Sequence, residues 1–176
     1  MLHEMSTDNQ FYAITVCRIE PENNTHLVLE AFSRQTELPL VAVGNWKNSE
    51  YGLGLLEKYA GFPHIHLLDP IYDSEKINAL RSNAFVYVHG HSAGGTNPSL
   101  VEAMFLSLPV FAFDCAYNRY TTENQCVYWS NADELYSYIS RYEKAKLAGI
   151  GKNMKFIADN RYRWNTIVAK YESLFA

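Results

Sequence analysis

The sequence predicts an α/β fold, a doubly wound parallel sheet with helices on both faces, and three observations carry that expectation. Short apolar runs without polar alternation recur along the chain, among them FYAITVCRI, PLVAVG, IHLL and PVFAF. Amphipathic segments of helical period separate these runs. The composition, 48% hydrophobic and 14% aromatic against 19% charged, supplies enough apolar surface for one core in 176 residues. Strands buried on both faces read as continuous apolar runs, and right-handed crossovers lay each helix against the sheet.

Residues 1–10 (MLHEMSTDNQ) are polar and read as a linker edge, with one domain over 11–176. Phe11 to Ile19 is β-branched and aromatic, hence a strand, and Asn24 to Gln35 follows as a helix with Leu27, Val28, Ala31 and Phe32 at helical spacing. Pro39 to Gly44 is the second strand. Ser49 then caps a helix carrying Leu53, Leu55, Leu56 and Tyr59, which Gly61 ends. Ile65 to Leu68 is a short strand, Asp73 to Ala84 a helix and Phe85 to Val88 a strand. A glycine-containing loop leads to a helix over Pro98 to Leu106, opened by a first-turn proline, and then to the strand Pro109 to Phe113. Beyond Asp114 the chain turns polar and tyrosine-rich. One further strand is expected at Cys126 to Trp129, and helices from Asp133 to Ala176, capped by Asn131 or Asp133 and interrupted at Gly149 and Gly151.

A formal net charge of -4 argues against a general electrostatic grip on nucleic acid or an anionic membrane. Cys17, Cys115 and Cys126 form an odd set without CxxC spacing, so neither a disulfide framework nor a zinc knuckle is expected, and a reducing cytosol is the default compartment. No signal peptide or spanning segment is legible.

Ligands of open parallel sheets bind outside the carboxyl ends of the strands. Two loops there stand out. His89 to Asn97 (HGHSAGGTN) runs into the Pro98 helix, whose amino terminus favours an anion such as phosphate, while its glycines let backbone approach a ligand. The loop alone fits a capped glycine connector equally well. It lacks both the dinucleotide G-x-G-x-x-G and the P-loop Gly-Lys-Ser/Thr. Glu102, flanked by small and apolar residues, either holds a pair of ribose hydroxyls or is an exposed helix glutamate. Arg18, ending the first strand, either forks onto a diphosphate or pairs with Glu20 or Glu22. His89 and His91 have no evident third metal ligand, and His64 and His66 read as structural. Tyr117 to Tyr120 closes over a ligand or covers the sheet end.

The order of VCRIEPENNTHLVLEAF, PLVAVGN, HIHLLDPIYDSEKINALRSNAFVYVHGH, GGTNPSLVEAMFLSLPVFAFD and RWNTIVAKYESLF resembles the carboxyl-terminal, nucleotide-sugar-binding half of a family 4 glycosyltransferase of GT-B architecture. The fold implied is Rossmann-like. The resemblance spans Phe11 to Phe175, is most specific over Pro98 to Asp114, and lies nearest to bacterial rhamnosyltransferase-like enzymes of surface polysaccharide assembly. It implies a retaining transferase that takes a UDP-, GDP- or dTDP-sugar without a cofactor or required metal. A saccharide or lipid-linked acceptor is implied, with a cytoplasmic location and peripheral membrane association of the full enzyme. It further implies an amino-terminal acceptor domain as partner, so that these 176 residues alone bind donor without transferring sugar.

By resemblance, Glu102 matches the second glutamate of the Glu-x7-Glu motif and holds the ribose, and Arg18 contacts the diphosphate. Leu68 to Tyr72, with Ile71, lines the nucleobase, and the backbone of Gly94, Gly95 and Thr96 faces the phosphates and sugar. Two positions depart. Gly94 stands where the first glutamate is expected, leaving Thr96, Asn97 or His91 to contact the sugar. Asn23 or Asn24 stands where a lysine is expected, with Lys47 or Arg119 as replacements. The rival reading is a non-catalytic nucleotide- or phosphate-binding module. A flavodoxin-like signalling domain is weaker, because no acidic cluster follows the first strand.

Overall fold

The computed structural model describes residues 11–175, so the linker expected at 1–10 lies outside the described residues. Six parallel strands form one sheet in the order β3-β2-β1-β4-β5-β6. They are β1 (Ala13–Val16), β2 (Leu40–Val43), β3 (Ile65–Leu68), β4 (Val86–His89), β5 (Val110–Phe113) and β6 (Val127–Trp129). Ala13 is in register with Leu40 on one side and Val86 on the other. The helices are α1 (Thr25–Ser33), α2 (Glu50–Tyr59), α3 (Ser74–Ser82), α4 (Pro98–Phe105), α5 (Ala116–Thr121), α6 (Ala132–Ser140), α7 (Lys144–Arg161) and α8 (Trp164–Glu172).

The apolar runs become central strands because both faces are covered. On one face Val28 and Leu29 of α1, Leu55 of α2 and Leu135 of α6 pack with Phe32, Leu40 and Trp46. On the other, Ile77 of α3, Leu100 and Met104 of α4 and Met154 and Ile157 of α7 pack with Ile14, Val41 and Tyr87. Helix starts follow side-chain chemistry. Ser49 accepts from the Gly52 N–H, Asp73 from Glu75 and Lys76, Asn97 from Ser99, and Asn131 from Glu134.

One expectation needs correction. Gly149 and Gly151 do not break the terminal region: α7 runs through both, and the breaks fall at 141–143 and 162–163. Gly151 is there because α7 touches the α4–β5 turn, where an added β-carbon would lie 2.2 Å from the Ser107 carbonyl oxygen. The tyrosine-rich stretch after Asp114, to which the sequence assigns no helix, contains α5, whose Asn118 side chain donates to the Phe113 and His91 carbonyls at 2.9 and 2.8 Å. As expected, α2 ends at Gly61, with Tyr59 its last residue and Ala60 its C-cap. In α8 no residue is buried, and Trp164, Val168 and Tyr171 are exposed, as are Leu174 and Phe175 beyond its end. No described helix is long and apolar enough to cross a membrane.

Candidate functional site

The chain leaves β1 towards one face of the sheet and β4 towards the other, so the strand order reverses between them. A crevice therefore opens outside their carboxyl ends. Three loops meet there, and hydrogen bonds between residues far apart in sequence hold them. Asn23, buried in the β1 loop, donates from Nδ2 to the Arg18 carbonyl at 2.9 Å and presents Oδ1 to His91 Nδ1 at 2.8 Å. Asn24, in the left-handed conformation at φ 48°, donates to the Gly90 carbonyl at 2.9 Å. Ser92 donates from both N and Oγ to the Glu22 carbonyl at 2.9 Å. The positions expected to carry a lysine thus serve as loop connectors.

Beside this junction lies a cavity of about 430 Å³, lined among others by Arg18, Gly44, Asn45, Ile71, Tyr72 and Ser99. Of the residues singled out in the sequence, Arg18, Ile71 and Tyr72 reach it. Tyr72 is 93% exposed, a free ring at the cavity edge. Arg18 is solvent-facing and paired with Glu20 at 3.2 Å, so its surface-pair alternative is realised on a side chain that still lines the cavity. Leu68 does not line it. Its carbonyl accepts from Gly44 N and from Trp46 Nε1 at 3.0 and 2.9 Å, and its side chain packs in the core.

Gly94, Gly95 and Thr96 are exposed and precede α4, outside the cavity lining, and Gly94 has φ 85°, a conformation in which a glutamate would be strained. Asn97 spends its side-chain oxygen on the Ser99 N–H and its carbonyl on those of Leu100 and Val101, and Pro98 carries none, so α4 meets the crevice at Ser99 with its positive dipole end rather than with free first-turn N–H groups. Glu102 lies one helical turn past Ser99, 53% exposed, and its Oε2 is 2.7 Å from Nη2 of Arg81. Arg81 was legible only as a helix residue. Its side chain is 5% exposed and its Nε has no partner, so the ion pair couples a buried cation to a half-exposed carboxylate that lies outside the cavity lining. No signal in the sequence separates this arginine from a surface one.

The proposed substitutes for the lysine stand apart. Lys47 pairs with Asp69 at 3.2 Å beside the Leu68–Tyr72 loop. Arg119 forks onto both oxygens of Asp114 at 2.6 and 2.7 Å and stacks 4.1 Å above the Tyr128 ring, so Tyr117 to Tyr120 covers the sheet end around β6. Among the described residues no three His, Cys, Asp or Glu side chains form a metal-ligand group. Burial pushes the Cys17 thiol up, which disfavours the thiolate at this cavity wall.

His89, fully buried at the end of β4, leaves Nε2 without a hydrogen bond. Desolvation, with a smaller contribution from His91, pushes its pKa down to about 3. The unfolded chain takes up this proton below about pH 6.5 and the folded chain does not, so His89 lowers stability as pH falls through that window. The expected slope is about 1.4 kcal/mol per pH unit below pH 6. His89→Phe keeps the stacking on Tyr87 and should remove that slope in urea unfolding at pH 7, 6 and 5, leaving a residue from His26, also depressed by burial. Parallel pH profiles for the two proteins would refute it.

The family model described as glycosyl transferases group 1 matches residues 4–160. A comparison with curated protein sequences finds no match. Sucrose-phosphate synthase from Thermosynechococcus elongatus superposes with a TM-score of 0.82 at 19% identity, over 98% of this chain and 47% of that one. The carboxyl-terminal domain of the group 1 family protein LpcC from Francisella tularensis gives 0.70 at 17% identity, over 87% of each chain. The pneumococcal O-GlcNAc transferase GtfA, solved with UDP and GlcNAc, gives 0.65 at 19% identity, over 94% of this chain and 35% of that one. The chain thus spans less than half the length of the synthase and of GtfA. These likenesses give the fold, a Rossmann-like sheet of GT-B type, and the family match covers β1 through nearly all of α7. The chain therefore belongs to the group 1 glycosyl transferases.

Proposed function

We propose that this chain is the donor-binding domain of a retaining glycosyltransferase that takes a sugar from a UDP-, GDP- or dTDP-sugar. The observation that carries the reading is the meeting of Arg18, the α4 amino terminus and a half-enclosed cavity at the sheet's switch point. A base and ribose fit the cavity beside Ile71 and Tyr72. The diphosphate then lies between the Arg18 guanidinium and the positive dipole end of α4. As the glycosidic bond breaks, negative charge grows on the departing diphosphate, and the Arg18 guanidinium and the α4 dipole, already in place, lower the barrier. Glu102, with Oε1 and the remaining lone pairs of Oε2 open, accepts ribose hydroxyls.

The acceptor, a saccharide or lipid-linked saccharide of surface polysaccharide assembly, is proposed to meet the donor against a second domain. That domain corresponds to the part of the longer relatives this chain does not span, and the work is done in the cytoplasm, at the membrane's inner face for the whole enzyme. Donor binding without transfer is the expected behaviour of these 176 residues alone.

Titration with UDP, GDP, dTDP and their sugars tests the reading, since a phosphate-only module would not distinguish nucleoside diphosphate from pyrophosphate. Arg18→Ala should weaken nucleoside diphosphate about tenfold, near 1.5 kcal/mol, and leave nucleoside binding unchanged, because only the diphosphate offers charged acceptors. Equal weakening of both ligands would make Arg18 a structural residue.

A further inference from the structure

We infer that His91 reads a hydroxyl of the transferred sugar through a lone pair on Nε2. This rests on the donor-domain reading and adds to it the residue that recognises the sugar. The Arg18 carbonyl can only accept, so the Asn23 atom 2.9 Å from it is the amide nitrogen, and the atom facing His91 is therefore Oδ1. An amide oxygen also only accepts, so His91 Nδ1 must carry the proton that bridges the 2.8 Å gap. In the neutral ring this leaves Nε2 as a bare acceptor.

The ring and its backbone are held from separate elements. The His91 carbonyl accepts from Asn118 Nδ2 of α5 at 2.8 Å, and the next residue, Ser92, is tied to Glu22. Nε2 itself has no hydrogen bond among the described residues and lies 3.8 Å from where a β-carbon on Gly94 would stand. It is an oriented acceptor over the loop leading into α4.

Its place along the crevice fits the sugar end of the donor. The cavity by Tyr72 and Ser99 takes the nucleoside, and the α4 amino terminus takes the diphosphate. Gly94 and His91 lie outside the cavity lining, in the loop that leads into α4. The two other candidates are less well placed: the Asn97 oxygen caps α4, and Thr96 Oγ1, 3.4 Å from Thr121 Oγ1, is a rotor that nothing fixes in one orientation. Gly94 offers no side chain at all, and of the remaining side chains His91 alone presents an acceptor atom that has no bond while its ring is fixed from another element.

His91→Asn is the informative variant, because the asparagine Nδ2 can replace the Nδ1–H bond to Asn23 while Nε2 is deleted. Isothermal titration would use UDP, GDP and dTDP together with UDP-glucose, GDP-mannose and dTDP-L-rhamnose, on the native chain and the variant. The expected result is about a tenfold loss for the sugar nucleotide that the native chain prefers, with less than about twofold change for its nucleoside diphosphate. Deoxy analogues of that sugar should include one that binds the native chain about tenfold more weakly and is indifferent to the variant. Equal losses for diphosphate and sugar nucleotide, or no loss for either, would overturn the assignment of His91 and leave the donor domain standing. Failure of the native chain to bind any of the three diphosphates would overturn the donor-domain reading, and this inference with it.

Discussion

Gly90→Ala is expected to destabilise the chain by about 3 kcal/mol and to weaken nucleotide binding at the same time. A β-carbon at Gly90 would lie 2.1 Å from the Asn23 carbonyl oxygen and 3.1 Å from its carbonyl carbon, both backbone atoms with no rotamer to escape into. Retreat of the β1 loop would stretch the Asn23–His91, Asn24–Gly90 and Ser92–Glu22 hydrogen bonds together. Each is worth about 1 kcal/mol, which compounds the steric cost. For a chain of this length, 3 kcal/mol corresponds to a Tm lower by about 6–12 °C. Because Arg18 rides on the same loop, nucleoside diphosphate should also bind less tightly. Thermal melts and nucleotide titration of the variant test both parts. A Tm within about 2 °C of the native value would show that the loops separate freely.

Much of the fold was legible because its strands are buried on both faces. Continuous apolar runs such as Leu40 to Val43 leave no reading except a covered strand, and the caps Ser49, Asp73, Asn97 and Asn131 mark where helices begin. What was missed depends on tertiary contact. Two glycines within one helix cost about 1 kcal/mol each in isolation, so a break was the local expectation. The close approach of Gly151 to Ser107 reverses that preference, and nothing near Gly151 in sequence announces it. Helix α5 was missed because it is short and polar, with few apolar positions to show a period.

The site was legible by loop but not by atom. Strand ends and a glycine-containing turn before Pro98 locate the crevice from sequence. The bonds that orient it do not show there, since Asn23 and His91 are separated by 68 positions. Resemblance places Leu68 in the nucleobase-lining segment 68–72. Its carbonyl, held by Gly44 and Trp46, makes it a support for the wall rather than a lining residue.

The Glu102 and Arg81 pair should behave asymmetrically under mutation, and the asymmetry reports which partner is buried. Glu102→Ala leaves the Arg81 guanidinium, 5% exposed and with Nε already unpartnered, without its counter-charge. A loss of about 3 kcal/mol is expected, at the low end for a broken buried pair because the carboxylate itself is 53% exposed. Even Glu102→Gln, which keeps the shape, gives up the charge that Arg81 needs, so it should cost stability as well as nucleotide affinity. Arg81→Met removes the buried cation, fills a similar volume, and leaves a carboxylate that water can solvate, so it should cost less than about 1 kcal/mol. The double variant should then be more stable than Glu102→Ala alone, giving a coupling of about 2 kcal/mol in urea unfolding. Binding should separate the roles further. In Arg81→Met the glutamate is present but no longer held, so nucleotide affinity should fall while stability stays near native. If Arg81→Met proves as destabilising as Glu102→Ala, or the two effects simply add, the buried arginine is held by its packing rather than by Glu102, and its part in orienting the carboxylate is lost.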